Sequence, residues 1–439
     1  MAPKRKIIID TDPGKYSLSM RAMTSADEAL LRADDVLAML LALASSPEEL
    51  EVKMISVTYG NVSLEGCLRN VVGLFKVLDH EMEWRKKQGK ALGFEALRTY
   101  KPIVSVGPEH ALEDEILMED GFHGSDGLHG VHDAHPHLSP EDTWKALFKD
   151  GLPGPGEEPS YYKYFTPSKT PAHQEILRIL KQEPADTVSI CVLGPLTNLA
   201  LAAAEDPETF LRVREVAVMG GAVEVPGNVT PVAEFNTFAD AVAAARVFAL
   251  TSAVPSSTMP PVPKDKTTLP EYPEKLSKRL NLSLFPLDIT TPHLLNMGYF
   301  MKRIETELAA QSPLGQWVNT FMSGIFRQIV SMVGDEEEPG LSLHDPLTIW
   351  YMLTGSQPEW KLAKDAPEDI RIETSGQWTH AMHVKDTRGR VRADGKAREE
   401  IVGDEHGWLS SKRGNRINRY VSSPGFEAFA PFLMERLFG

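Results

Sequence analysis

The sequence predicts an α/β fold: an open, mostly parallel sheet with helices on both faces, interrupted by surface insertions. Three observations carry this. Short apolar runs rich in β-branched residues recur without polar alternation, as strands buried on both faces require. Helical patterns separate them, and strand–helix alternation marks a parallel sheet wrapped by helices. With 42% hydrophobic and 24% charged residues, 439 positions supply enough apolar surface for one large core.

Taken in order, residues 6–10 (KIIID) read as the first strand and 36–44 as the first helix. The run 36–44 is also the longest apolar one, about half of a membrane span. Residues 52–58 (VKMISVT) form the next strand and 65–78 the next helix. A third strand at 187–193 (TVSICVL) precedes a helix at 196–204. The shorter 215–219 (EVAVM) precedes another helix at 240–250. Four stretches interrupt the pattern, at about 15–33, 138–170, 253–275 and 385–416. The apolar pattern resumes after each, so they read as insertions in a single domain spanning 1–439.

Charge and cysteine usage narrow the function. With 46 basic and 61 acidic residues the chain carries −15, which argues against nucleic acid or an anionic membrane as partner. The first twelve residues lack the hydrophobic stretch of a signal peptide. Two cysteines, Cys67 and Cys191, lie in apolar surroundings and read as buried thiols of a reducing compartment. A cytoplasmic protein is expected.

Ligands of an open parallel sheet bind at the carboxyl ends of its strands. The first strand ends in Asp10-Thr11-Asp12-Pro13-Gly14, which puts two carboxylates at that edge. A turn explains one Asp easily and two less well. Asp34-Asp35 opens the next helix, where acidic residues suit the helix dipole on structural grounds alone. Leu343-His344-Asp345-Pro346 likewise fits a Pro-started helix with a hydrogen-bonded histidine. Together, Asp12, Asp35 and Asp345 offer three hard oxygen ligands. Without a His or Cys cluster at metal spacing, such a set favours calcium or magnesium over zinc. Asn228, Glu234 and Asn236 follow a strand and the Met219-Gly220-Gly221 turn, and suit either neutral hydroxyls or loop capping.

DTDPG at 10–14, DD at 34–35, YGN at 59–61, GPLTN at 194–198, MGG…GN…AEFN at 219–236 and HDP at 344–346 form an ordered set. That set resembles the inosine–uridine-preferring nucleoside hydrolases, from about residue 5 to the C-terminal helix. The resemblance implies an open α/β sheet, a tightly held Ca²⁺ and hydrolysis of the N-glycosidic bond of ribonucleosides. Motif by motif, Asp12 resembles the metal-bound general base. Asp35 and Asp345 resemble the other carboxylate ligands, and Leu193 the residue lending a backbone carbonyl. Asp34, Asn228, Glu234 and Asn236 match ribose-binding positions, while Asn61 and His123 match residues beside sugar and base. His344 matches the histidine proposed to protonate a purine leaving group. Relatives imply a homodimer or homotetramer.

The chain departs from the pattern twice. Residues 15–33 put 19 residues where the motif has one, a net insertion of 18. This is either a surface loop or a retained intron, since 18 codons are 54 nucleotides and their removal restores the motif in frame. No Tyr lies between Tyr299 and Tyr351, where relatives often place an aromatic hydroxyl; Trp317 and Phe326 are the candidate replacements for stacking. Two alternatives therefore accompany the hydrolase reading: a non-catalytic nucleoside- or ribose-binding member, and a hydrolase of another N-riboside such as nicotinamide riboside. Base preference is not legible in the sequence.

Overall fold

Alternate residues of an extended strand leave it in opposite directions, and the first strand shows what this means when both faces are buried. In β1 (Arg5–Thr11), Ile7 and Ile9 enter one apolar core while Ile8 enters another. In β2 (Leu50–Val57), Val52, Ile55 and Val57 join the first core and Met54 the second. The absence of polar alternation thus reflects two cores separated by one sheet. These strands belong to a computed structural model that describes residues 4–14, 34–112, 127–149, 159–261, 269–333, 338–389 and 403–439.

The remaining strands are β3 (Ile103–Val106), β4 (Thr166–Pro167), β5 (Val188–Val192), β6 (Glu215–Met219), β7 (Leu282–Phe285), β8 (Leu294–Asn296), β9 (Gly340–Ser342), β10 (Lys361–Leu362), β11 (Ile370–Ile372), β12 (His383–Lys385) and β13 (Asn418–Ser422). Among the described residues, nine of the strands form one sheet in the order β10-β13-β7-β6-β5-β1-β2-β3-β4. Its pairings are parallel except at the β10 edge, which pairs antiparallel with β13. From β1 the chain builds outward through β2, β3 and β4, then returns to the centre and builds the other way from β5. The reversal lies between β1 and β5, the crevice where open parallel sheets hold ligands. Two short antiparallel strand pairs, β8–β9 and β11–β12, stand apart from the sheet.

The first core takes helices α1 (Asp34–Leu43) and α2 (Leu64–Lys87). The second takes α3 (Ala172–Gln182), α4 (Thr197–Glu205) and, past the short α5 (Phe235–Ala239), α6 (Ala241–Ala249). The first core is completed by α7 (Met297–Ala309), α8 (Pro313–Val333), α9 (His344–Thr354) and α10 (Phe426–Phe438). Every residue of α1 is buried, because α9, which itself packs on β5 and β6, and α10 flank it on the sheet. Among the described residues, no helix is long and apolar enough to cross a membrane.

Two expectations need correction. The stretch 138–170 is not a surface insertion throughout. Residues 160–164 coil into a short helix that places Tyr161 and Tyr162 in the core, with Phe165 stacked on Phe75 at a ring separation of 4.7 Å. Its end supplies the edge strand β4. Trp317 and Phe326 are also core residues, each 1% exposed within α8, Trp317 packed edge-on against Phe321 and Phe326 tilted on Phe300. Residues 15–33 and His123 lie outside the described residues, as do 150–158, 262–268 and 390–402 of the other insertions.

Candidate active site

At the carboxyl end of β1 the apolar run stops and buried polar groups begin. Asp12 is fully buried, and its Oδ2 accepts the Asn61 backbone N–H at 2.7 Å. Asn61 follows β2, the neighbouring strand. Its side-chain Nδ2 donates to the Asp12 carbonyl at 3.1 Å and to Asp35 Oδ2 at 2.9 Å. Asp35 Oδ1 accepts the Thr11 hydroxyl at 2.5 Å and the Asp12 backbone N–H at 3.3 Å. One asparagine and one threonine therefore hold the strand-end Asp and the helix-start Asp side by side. Asp35 reaches Asp12 although residues 15–33 separate the two motifs in the chain.

Asp34 faces the other way. Its Oδ2 accepts the Asp345 backbone N–H at 2.9 Å, at the start of α9. A carboxylate on the exposed amides of a helix N-terminus is electrostatically favourable. Here it also brings Asp345, 1% exposed, beside α1. His344, half-buried in the first turn of α9, has its Nδ1 2.7 Å from the Thr290 hydroxyl.

The loops after β5 and β6 close the other side. Asn236 Nδ2 donates to the Leu193 carbonyl at 2.6 Å and to the Met219 carbonyl at 3.2 Å, joining the two strand ends. Glu234 caps α5: Oε1 accepts the Asn236 N–H at 2.8 Å, and Oε2 the Gly221 and Thr237 N–H groups at 2.8 and 3.1 Å. Asn228 Oδ1 accepts the Phe235 N–H at 3.0 Å. The loop-capping role expected on local grounds is therefore real for both residues. Fully buried Glu234 is constrained by it, whereas half-buried Asn228 commits only its carbonyl oxygen there.

The backbone is shaped around the Asp12 carboxylate. A Cβ added to Gly60 would lie 2.1 Å from Asp12 Oδ2, and one added to Gly194 would lie 2.4 Å from Oδ1. Glycine at both positions leaves the carboxylate its place. The donors suit a hard divalent cation in kind: Asp12, Asp35 and Asp345 are carboxylates, and the Leu193 carbonyl keeps a second lone pair beside its bond to Asn236. Buried carboxylates drawn together in low dielectric are costly unless a positive charge offsets them. Their spacing is not that of a finished cage, since among the described residues no three His, Cys, Asp or Glu stand arranged to hold an ion. Thr11 and Asn61 instead engage the Asp35 oxygens. Cavities of about 600 and 690 Å³ lie at the opposite, amino-terminal ends of the strands, one around Lys278, Arg279 and Arg416, the other around Arg5, Glu49 and Arg436. Neither contains these carboxylates.

A family model described as inosine-uridine preferring nucleoside hydrolase matches residues 7–409. The chain belongs to that family. Its members are N-glycosyl hydrolases of nucleosides. The pyrimidine-specific ribonucleoside hydrolase RihA of Klebsiella pneumoniae strain 342 is 28% identical over 356 residues, 80% of this chain and 85% of that protein. The protein of the same name from Escherichia coli K12 is 28% identical over 383 residues, 87% of this chain and 88% of the relative. In fold, the chain resembles a plant nucleoside hydrolase (TM-score 0.61, 22% identity, 100% of both chains). It equally resembles a purine-preferring ribonucleoside hydrolase from Gardnerella vaginalis (TM-score 0.61, 19% identity, 99% of this chain and 98% of that one).

Several residues around this candidate site carry no sequence signal strong enough to single them out. Asn198 donates to Asp10 Oδ1 at 2.8 Å and to the Ser56 hydroxyl at 3.0 Å, tying the ends of β1 and β2 to the start of α4. Burial raises the Asp10 pKa to about 7 against the lowering pull of those two hydrogen bonds. Asn70 of α2 donates to the Pro13 carbonyl at 2.8 Å while its Oδ1 meets His132 Nε2 at 3.0 Å, bracing the DPG turn from behind. Thr290 does the same for His344. Asn198 alone was reachable, as the last residue of GPLTN.

Proposed function

We propose that this chain hydrolyses the N-glycosidic bond of ribonucleosides to ribose and free base in a calcium-dependent reaction. The observation that carries the reading is the hydrogen-bonded set Asp12–Asn61–Asp35 with Asp34–Asp345 at the topological switch of the sheet. Asp12, Asp35, Asp345 and the Leu193 carbonyl are the proposed metal donors. Ribose hydroxyls fall to Asp34, Asn228, Glu234 and Asn236, with Asn61 and His123 beside the sugar and base. Bound there, calcium supplies Lewis acidity toward water and coordination positions for a vicinal diol.

The chain's own residues do the rest. Loss of the base builds positive charge at the ribose, and buried carboxylates nearby oppose that charge. Asp12, oriented by the Asn61 N–H, takes the proton of the attacking water. His344, with Nδ1 occupied by Thr290, has Nε2 as the nitrogen that protonates the departing base. A homodimer or homotetramer of cytoplasmic location completes the proposal; light scattering tests the assembly.

A reducing-sugar assay with inosine, uridine and cytidine, run before and after calcium chelation and after its restoration, tests the reaction. Asp12→Asn should lower turnover by about 10²–10⁴-fold, the usual effect of losing a positioned general base. Near-normal turnover would displace Asp12 from that role. Absence of turnover on every nucleoside would favour a non-catalytic ribose binder, and turnover of nicotinamide riboside alone would favour a different N-riboside.

A further inference from the structure

The loop after β6 carries Asn228 and Glu234, and its first residues are held from outside the sheet. Gly221 has φ +85°, and a Cβ there would fall 2.3 Å from His383 Nε2, so the imidazole lies against the glycine's Cα. The Gly221 N–H donates to Glu234 Oε2 at 2.8 Å, and its carbonyl accepts the Leu287 N–H at 2.9 Å. Two residues on, Asp288 accepts the Val223 and Glu224 N–H groups at 3.0 and 2.8 Å. The Glu224 carboxylate accepts Lys385 Nζ at 2.6 Å and Arg419 Nη2 at 2.9 Å. Both cations also bind Glu368, Arg419 through Nε at 2.6 Å and Nη2 at 3.1 Å. His383 and Lys385 are the two ends of β12, so one three-residue strand touches the loop at Gly221 and at Glu224.

We propose that β12 is a clamp on this loop, with His383 and Lys385 acting as positioning residues that set Glu234 and Asn228 for the sugar. The inference rests on the hydrolase reading above. Nothing in the family motifs points to either residue.

The chemistry of each contact fits a positioning role. His383 is 2% exposed and packs edge-on to Phe248, with ring centroids 5.7 Å apart. Burial lowers its pKa to about 4 despite the raising effect of Glu234 and Asp288, so the ring is neutral at physiological pH. A neutral ring supplies a rigid wall without a charge to compete for the Glu234 carboxylate. Gly221 alone has the backbone freedom and the space for this approach. Removing the ring opens space on one side of the Gly221 peptide, which then no longer presents its N–H to Glu234 from a fixed position. Lys385 and Arg419 act further out, where Arg419–Glu368 is buried and Glu224 is half-exposed.

The test compares His383→Ala, His383→Asn and Lys385→Gln with the wild-type full chain. Two readouts are used: kinetics on uridine and inosine, and amide hydrogen exchange at Gly221, Asn236 and Thr237. A displacement of a few tenths of an ångström at Glu234 should raise KM about tenfold with kcat changed by less than about threefold, and speed exchange at those amides about tenfold. His383→Asn, which keeps a planar polar group against Gly221, should recover part of both effects. Lys385→Gln leaves the core intact and should show the same direction to a smaller degree, so it decides the matter if His383→Ala does not fold. Unchanged exchange in the folded variants overturns the clamp. Faster exchange with unchanged KM in an active enzyme overturns the positioning role. Lack of nucleoside turnover by the wild type refutes the hydrolase reading instead, while the exchange measurement still decides the clamp.

Discussion

Gly194→Ala is the substitution whose consequence follows most directly from the geometry. The added methyl would sit 2.4 Å from Asp12 Oδ1, 2.9 Å from Asp12 Cγ and 3.2 Å from Thr58 Cγ2. Ordinary contact begins near 3.4 Å, so the carboxylate must move by roughly 1 Å. Gly194 is not in the left-handed region, and alanine there adds no backbone strain. What yields is the end of one side chain, so the stability cost should be about 1–3 kcal/mol, typical of overpacking. Misplacing a catalytic group by about 1 Å costs on the order of 10²-fold, equivalent to roughly 2.7 kcal/mol of transition-state stabilisation. Activity should therefore fall far more than the melting temperature. The measurement is kcat/KM on inosine and uridine beside a thermal melt of the same preparation. A folded Gly194→Ala protein with near wild-type kcat/KM would refute the placement of the chemistry at Asp12.

Three further outcomes are expected. His344→Ala should slow purine nucleosides selectively and spare a nitrophenyl riboside, whose leaving group needs no proton; equal losses on both would mean that His344 serves packing through Thr290. Burial lowers the His293 pKa to about 4, against raising contributions from the Ile289 and Thr290 backbone, while the unfolded value is about 6.5. The stability of its neutral form is present above pH 6.5 and is lost as pH falls toward 4, by about 3 kcal/mol at most. Urea midpoints across that window should fall, and His293→Asn should flatten the fall; an identical slope in the variant would show that other groups carry it. For residues 15–33, sequencing the transcript should reveal a message lacking the 54-nucleotide segment if it is an intron. A message dominated by the full segment would make the loop genuine, and turnover with and without it would then test whether Asp34 and Asp35 depend on it.

The sequence by itself determined four adjacent strands of the sheet, β1, β2, β5 and β6, with their two-sided burial, whereas β3, β4, β7, β10 and β13 are too short to stand out in it. Runs such as KIIID and TVSICVL admit little else, because a strand apolar on both faces needs helices on both faces. Residues 36–43 were legible as helix, and 215–219 as strand, for the same local reason. The ordered motifs also gave the family and the set Asp12, Asp34, Asp35, Asn61 and Asp345. What only the tertiary structure decided is how these groups are held. That Asp34 serves α9 while Asp35 turns to Thr11 and Asn61 depends on the packing of α1 beside α9, a contact about 310 residues apart in sequence. The burial of Tyr161, Tyr162, Trp317 and Phe326 was hidden because a short aromatic-rich segment reads alike as core or as surface until its neighbours are known. The approach of His383 to Gly221 was equally illegible. A glycine that needs space and a histidine that fills it leave no joint signature when 162 positions separate them, and only the folded chain makes them neighbours.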